Sequence, residues 1–288
     1  MNYLESFREM VSLRGLREST LKTYLTYITA YLDYVSDILC KTPEDVSWQE
    51  LRTFVKWIQK ERGIGDRTIN YVIAQLRFFT LYVLHQPWDP YQMPYRKFDR
   101  YIPFVPVRSE VQAFINAVAD HKAKMMIILM YSCGLRIGEV CNLRYEDIDR
   151  AGMRIHITQC KNRSDRYVPL SPFAIDALTR YWRMYGGKSE DYIFRSKNDS
   201  SKHVDSGYVF RRIQATEKAL GWPHRFKAHT FRYAFATHFY ESTGDLLALK
   251  ELLGHRSINS TTVYVTLSER MVRKYSSPIE SLEISYAQ

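Results

Sequence analysis

Cysteine is scarce in these 288 residues: Cys40, Cys133, Cys141 and Cys160 lie far apart and form no C-x-x-C pair. That excludes a zinc-ribbon or disulfide-framework reading and leaves reduced, mostly buried thiols as the expectation. Long apolar runs are missing too, so no segment reads as membrane-spanning. The residues after Met1 are polar and charged, which argues against a secretory signal and for a cytoplasmic location. There are no internal repeats or low-complexity tracts, and no clustered carboxylates of the kind a two-metal nuclease uses. Acidic side chains are in deficit: 31 Asp and Glu face 41 Lys and Arg, for a net charge of +10. A pI near 9.3 points to a polyanionic partner.

What is present divides in two. Residues 1–100 hold 14 basic and 12 acidic side chains, and residues 101–288 hold 27 and 19, so the excess sits in the second part. Apolar residues make up 45%, enough for a real core in each part. The first part reads as four amphipathic helices in a compact bundle. Leu4, Phe7 and Val11 share a face, and Gly15 ends that element. Ser19 is expected to cap the second helix, Ser47 the third and Asp66 the fourth. Five of the ten prolines fall in 87–106, with Arg96, Lys97 and Arg100, which predicts a flexible basic connector able to lie along a phosphate backbone. The expected domains are thus 1–86, a connector at 87–107, and 108–288.

Beyond the connector, helix is predicted from Ser109, with a very apolar helix from Met125 to Cys133 that ends at Gly134. Residues 153–159 alternate as a strand does, and a polar turn with Lys161 near its tip leads into a second strand. The remainder reads as mainly helical. The overall expectation is mainly α with a small β-hairpin, the second part being an α+β domain.

The stretch from His229 to Tyr264 carries the chemistry. His229 and Arg232 are spaced i, i+3 and share a helical face. Gly254 reads as a helix stop before His255, and Ser257, Asn259 and Ser260 offer caps for a new helix bearing Tyr264. Singly these are weak: most H-x-x-R pairs are surface hydrogen-bonders, Gly-His is an ordinary helix end, and the chain has 22 tyrosines. Two imidazoles, a guanidinium and a phenol converging in a basic protein nevertheless suit phosphodiester chemistry.

Order and spacing add more. Arg136 within GLRIGE, Lys161 in a turn running into RYVPL, His229-x-x-Arg232, Leu-Gly-His255 and Tyr264 follow one another as they do in tyrosine recombinases. The chain resembles that phage-integrase and Xer-like superfamily strongly over about 108–266, and by pattern over its N-terminal bundle. It departs from the family in small ways. Phe231 stands where Leu is common, Tyr233 where His is frequent, and Asn162 where glycine is usual. None of these removes a group the chemistry needs, and Asn tolerates left-handed geometry.

The resemblance implies a core-binding, SAM-like DNA-binding domain at 1–86 and a catalytic domain at 108–288 with an exchange tail at 268–288, together a C-shaped clamp on duplex DNA. Tyr264 would attack a phosphodiester to give a 3′-phosphotyrosine intermediate and release a 5′-hydroxyl. Arg136 and Arg232 would hold the non-bridging oxygens, Lys161 would protonate the leaving oxygen, His229 would act as base or phosphate ligand, and His255 would donate to the phosphate. Glu139 either braces Arg136 or forms an ordinary i, i+3 pair with it. No metal or other cofactor is expected. Expected partners are double-stranded DNA with inverted-repeat core sites and three further copies of the chain, joined through the tail in a nucleoid-associated tetramer. A Holliday junction would link the two strand exchanges. The start so close to the bundle, and the lack of an insert before His229, favour a simple-site enzyme, Xer-like or encoded by a transposon or integrative element. The alternatives are a type IB topoisomerase-like relaxase and a catalytically silent DNA-binding regulator of the same fold.

Overall fold

Ser47 shows how local sequence starts a helix here. Its hydroxyl accepts from the Glu50 amide at 3.3 Å, while the Glu50 carboxylate takes the Ser47 amide at 2.9 Å. This reciprocal capping box satisfies two amides that a helix start leaves orphaned. The computed structural model describes residues 2–16, 18–99, 103–158, 165–188 and 190–268. Lys161, Asn162, Cys160 and the tail from 269 onward lie outside them, so the expectations resting on those residues have no structural counterpart here. The chain divides into two units, Met1–Tyr101 and Ile102–Gln288. Among the described residues no helix is long and apolar enough to cross a membrane.

The first unit holds four α-helices: α1 (Tyr3–Leu13), α2 (Glu18–Tyr34), α3 (Trp48–Arg62) and α4 (Asp66–Tyr82). Their apolar faces meet in a core in which Phe7, Ile28, Phe54, Ile58, Ile69 and Phe79 are fully buried. Each such side chain contributes roughly 1.5–3 kcal/mol relative to exposure. Two expected caps differ. Helix α2 begins at Glu18, which puts Ser19 inside its first turn, and α4 is preceded by Gly65, with Asp66 already helical. The Asp66 carboxylate instead accepts from Arg96 Nη1 at 2.6 Å and from Gln59 Nε2 at 3.3 Å.

Residues 88–96 of the segment read as a flexible connector are fastened to this unit. Met93 is 5% exposed within its core, and Trp88 meets Trp48 edge-on at 5.1 Å. Asn70 receives the Arg96 amide at 2.8 Å and donates to the Arg96 carbonyl at 2.9 Å. Proline content predicted a spacer, but Trp88 and Met93 have enough apolar surface to anchor it. Arg96 is committed to a carboxylate.

The second unit is built on α6 (His121–Ser132), in which six consecutive residues, Met125–Met130, are buried. A helix apolar on all sides belongs inside a domain. It packs against α5 (Arg108–Ala117), α7 (Ile137–Cys141), α8 (Pro172–Tyr185), α9 (Ser206–Ala219) and α10 (Ala228–Thr243). Two short helices follow, α11 (Leu246–Leu253) and α12 (Val263–Leu267). An antiparallel sheet runs in the order β1 (Ile148–Asp149), β2 (Arg154–Ile157) and β3 (Arg166–Pro169). The β2–β3 register pairs Ile155 with Val168 and Ile157 with Arg166. Ile155, Ile157, Val168 and Leu170 are buried on one face, and Arg166 shares that face at 9% exposure. The predicted strand is shorter than expected, and β1 was not anticipated because two residues carry no period.

Candidate active site

The site begins where α6 stops. Gly134 has φ +63°, and a Cβ there would lie 2.4 Å from the Phe235 ring and 3.2 Å from Leu253. Only glycine fits. The turn it makes aims its carbonyl inward and brings Arg136 to the start of α7.

Arg232 lies on α10, 3% exposed, and its guanidinium gathers ends of other elements. Nη1 donates to the Gly134 carbonyl at 2.5 Å, and Nη2 donates to the Leu253 carbonyl at 2.7 Å. Leu253 closes α11, so its carbonyl is one of the acceptors that a helix end leaves unfilled, and a cation suits that end of the dipole. Burial, then the neighbouring Arg136, pull the Arg232 guanidinium down to about 10, against the pull of Glu139 and Tyr264. It stays charged at neutral pH.

Gly254, at φ +63°, ends α11 as expected and delivers His255 beside Arg232. The His255 Nε2 lies 3.3 Å from Arg232 Nη2, and its Nδ1 lies 2.9 Å from the Thr261 hydroxyl. A guanidinium only donates, so Nε2 accepts and the proton sits on Nδ1. Burial, then Arg232, Arg136, Arg166 and Lys250, push the imidazole down to about 4. In this state His255 presents Nε2 to the Arg232 guanidinium as a neutral acceptor.

Tyr264 follows on α12. Ser257 caps the preceding 3-10 turn through the Asn259 amide, and Thr262 occupies the N-cap of α12 itself. The phenol ring stacks on His255 at 6.3 Å, inclined 14°, and meets the Tyr233 ring at 6.1 Å. It is 2% exposed within a cluster that includes Ala236, Leu249 and Leu253. Burial drives its pKa up to about 12; Arg232 and Arg136 pull the other way. The phenol is therefore protonated at pH 7 and must be uncovered before it can meet a large substrate.

His229 occupies the exposed first turn of α10, its ring 6.0 Å from that of Tyr233. The i, i+3 spacing put it with Arg232 on one helical face, yet only Arg232 is buried. Lys161 lies outside the described residues.

Glu139 ties the site together, and its role is wider than the sequence implied. Its side chain is 6% exposed. Oε2 accepts the Arg136 amide at 2.8 Å, and Oε1 accepts Arg136 Nη1 at 2.8 Å. Arg166 grips the same carboxylate with two bonds of 2.9 and 2.8 Å, and Arg232 Nη1 stands 4.0 Å away. Burial alone would raise this carboxyl; Arg166 and Arg136 overcome it and hold the group at about 2. Arg166 was not singled out from sequence. The available signal was an arginine at a strand position whose neighbours two and four residues on, Val168 and Leu170, are apolar.

Arg136, Arg232, His255 and Tyr264 thus lie together, with three arginines around one carboxylate and positive charge in excess. The cluster can hold a tetrahedral anion against a phenol.

The phage integrase family profile matches residues 107–271, and that of the phage integrase N-terminal SAM-like domain matches residues 3–90. A tyrosine recombinase of Pseudothermotoga lettingae is 29% identical over 273 residues, 91% of this chain and 92% of its own. The tyrosine recombinase XerA of Thermococcus kodakarensis is 26% identical over 277 residues, 94% and 93% of the two chains. Among solved structures, the Tn1549 transposon integrase in complex with a circular intermediate DNA superposes with TM-score 0.73 at 18% identity, covering 92% of this chain and 95% of that one. With the family profile spanning more than half of its length, the chain belongs to the phage integrase family and is a tyrosine recombinase.

Proposed function

We propose that this Xer-like tyrosine recombinase cuts and rejoins duplex DNA at a specific site through a 3′-phosphotyrosine intermediate. The observation that carries the reading is the meeting of Tyr264, His255, Arg232 and Arg136 in one cluster. The Tyr264 phenol gives up its proton to His229 or to water as its oxygen attacks phosphorus, the P–O5′ bond breaks, and the 5′-oxygen leaves as a hydroxyl carrying a proton from Lys161. Arg136 and Arg232 hold the non-bridging oxygens, where charge grows in the transition state; one such donor is worth about 10²–10³ in rate. The ester keeps the energy of the cut bond, so a 5′-hydroxyl from another strand reverses the step without ATP. Two such exchanges pass through a Holliday junction.

A phenol with a pKa of about 12 ionises at pH 7 only at a cost of roughly 7 kcal/mol. His229, at the exposed edge, serves as base or phosphate ligand. The cationic side chains neutralise the phosphate, which removes the need for a metal. The tail 268–288 docks on a neighbouring copy, forms a tetramer on inverted-repeat core sites, and couples exposure of Tyr264 to assembly. We place the protein in the simple-site class, acting for a transposon, an integrative element or a Xer-like system.

The test is covalent capture. The full chain is incubated with randomised nicked duplexes in EDTA, denatured, and the DNA retained on protein is sequenced. Recovery of related inverted repeats supports the reading. Strict Mg²⁺ dependence of the adduct, or relaxation of supercoiled plasmids lacking the recovered site, would contradict it.

A further inference from the structure

We infer that Arg166 is a positioning residue for the phosphate-binding arginines, acting through the two-point grip of its guanidinium on Glu139 and not through its charge alone. The inference rests on the recombinase reading above. A carboxylate offers about four lone-pair sites. On Glu139 four bonds from two arginines fill them. Oε1 takes Arg136 Nη1 at 2.8 Å and Arg166 Nη1 at 2.9 Å. Oε2 takes the Arg136 amide and Arg166 Nη2, each at 2.8 Å. The third arm of Arg166, Nε, donates to the Leu252 carbonyl at 2.9 Å, in the last turn of α11. One side chain on β3 thereby joins the start of α7, which presents Arg136, to the end of α11, which presents His255.

The backbone makes room for this arrangement. A Cβ on Gly254 would lie 2.9 Å from Arg166 Cδ, so the left-handed glycine between α11 and His255 also clears the path of the arginine. The side chains of Arg166 and Glu139 are 8% and 6% exposed, so little solvent reaches the grip. If the fork is lost, two lone pairs of a buried carboxylate lose their donors, and among the described residues Arg232 Nη1 stands 4.0 Å away. Turning toward it would draw Glu139 off Arg136 and misplace both phosphate-binding guanidinia. A lysine keeps the charge but presents a compact ammonium that cannot span both oxygens in a plane. The grip therefore needs arginine.

The test uses the duplex recovered by covalent capture, made with either a normal phosphate or a methylphosphonate at the scissile position. Methyl in place of one non-bridging oxygen removes the charge that the arginines hold. Single-turnover cleavage is measured for the wild type, Arg136→Ala, Arg166→Lys and Arg166→Met. Arg136→Ala should lose on the order of 10²-fold on phosphate and much less on methylphosphonate. Arg166→Lys, which retains the charge balance that a buried site needs to fold, should shift the ratio of the two rates in the same direction by about 10-fold or more, the loss expected for a misdirected charge-assisted hydrogen bond. Arg166→Met should shift it at least as far. A merely structural role lowers both rates equally. An Arg166→Lys enzyme with the wild-type ratio therefore overturns the inference alone, whatever happens to Arg166→Met. A wild type that forms no adduct on any duplex overturns the recombinase reading and this inference with it.

Discussion

Replacing Glu139 with Gln removes one negative charge from among three arginines and leaves the shape nearly unchanged. The carboxyl is held at about 2, against 4.5 for the free group. That difference corresponds to about 3 kcal/mol at pH 7, at 1.36 kcal/mol per pH unit. It agrees with the roughly 3–5 kcal/mol lost when one partner of a buried ion pair is removed. Because the folded-state pKa lies below the unfolded one, the contribution is complete above about pH 4.5 and is lost as pH falls toward 2. The gap between wild type and Glu139→Gln should therefore narrow from about 3 kcal/mol at pH 7 to about 1 kcal/mol at pH 3. Urea denaturation followed by near-ultraviolet circular dichroism measures both. Glu251→Gln is the control, since that carboxylate pairs with Lys250 while 76% exposed. It should cost less than about 1 kcal/mol. A loss of that small size for Glu139→Gln at pH 7, or a gap that does not change with pH, would refute the account of the cluster.

Five further outcomes are expected. His255 should stay neutral, with its proton on Nδ1, down to about pH 5 in an NMR titration of the DNA-free protein; its folded pKa lies below the ordinary value, so the stability it contributes is complete above about pH 6.5 and is lost as pH falls toward 4. Gly134→Ala should lower the thermal midpoint by several degrees, because a left-handed alanine costs about 1–2 kcal/mol before the contact with Phe235 is counted. Arg232→Ala should slow cleavage by roughly 10²-fold or more, while Lys161→Ala should be rescued by a 5′-phosphorothiolate, whose sulfur leaves without a proton; rescue of Arg232→Ala in its place would move the acid elsewhere. Deleting 277–288 should leave single-site DNA binding within a few fold and abolish recombination and tetramers on DNA in gel-shift assays.

Much of this site was legible as a sequence. Gly134, Gly254 and the spacing of Arg136, Arg232, His255 and Tyr264 mark helix ends and helix faces, which follow from short-range rules. The buried helix α6 and the Ser47 cap were legible for the same reason. What sequence did not show is where side chains find partners far along the chain. Arg166 reaches Glu139 across a long stretch of sequence, from a strand that packs against α11, and the Leu252 and Leu253 carbonyls that hold the arginines are backbone atoms without a sequence signature. The protonation of His255 depends on which neighbour faces each ring nitrogen, and that is a tertiary fact. Tyr264 looked like an available nucleophile; its apolar neighbours on α10 and α11 cover it. The first half of the connector departs from a free spacer because Trp88 and Met93 anchor it, which proline count alone does not reveal.

The central claim is that Tyr264 becomes joined to DNA. On a nicked suicide duplex carrying the captured site, the wild-type protein should form an adduct that survives denaturation. Protease digestion and mass spectrometry should then place a 3′-nucleotide on the peptide containing Tyr264, and Tyr264→Phe should bind the duplex with no adduct. An adduct mapped to Tyr233 or Tyr275, or one that persists in Tyr264→Phe, would contradict the account.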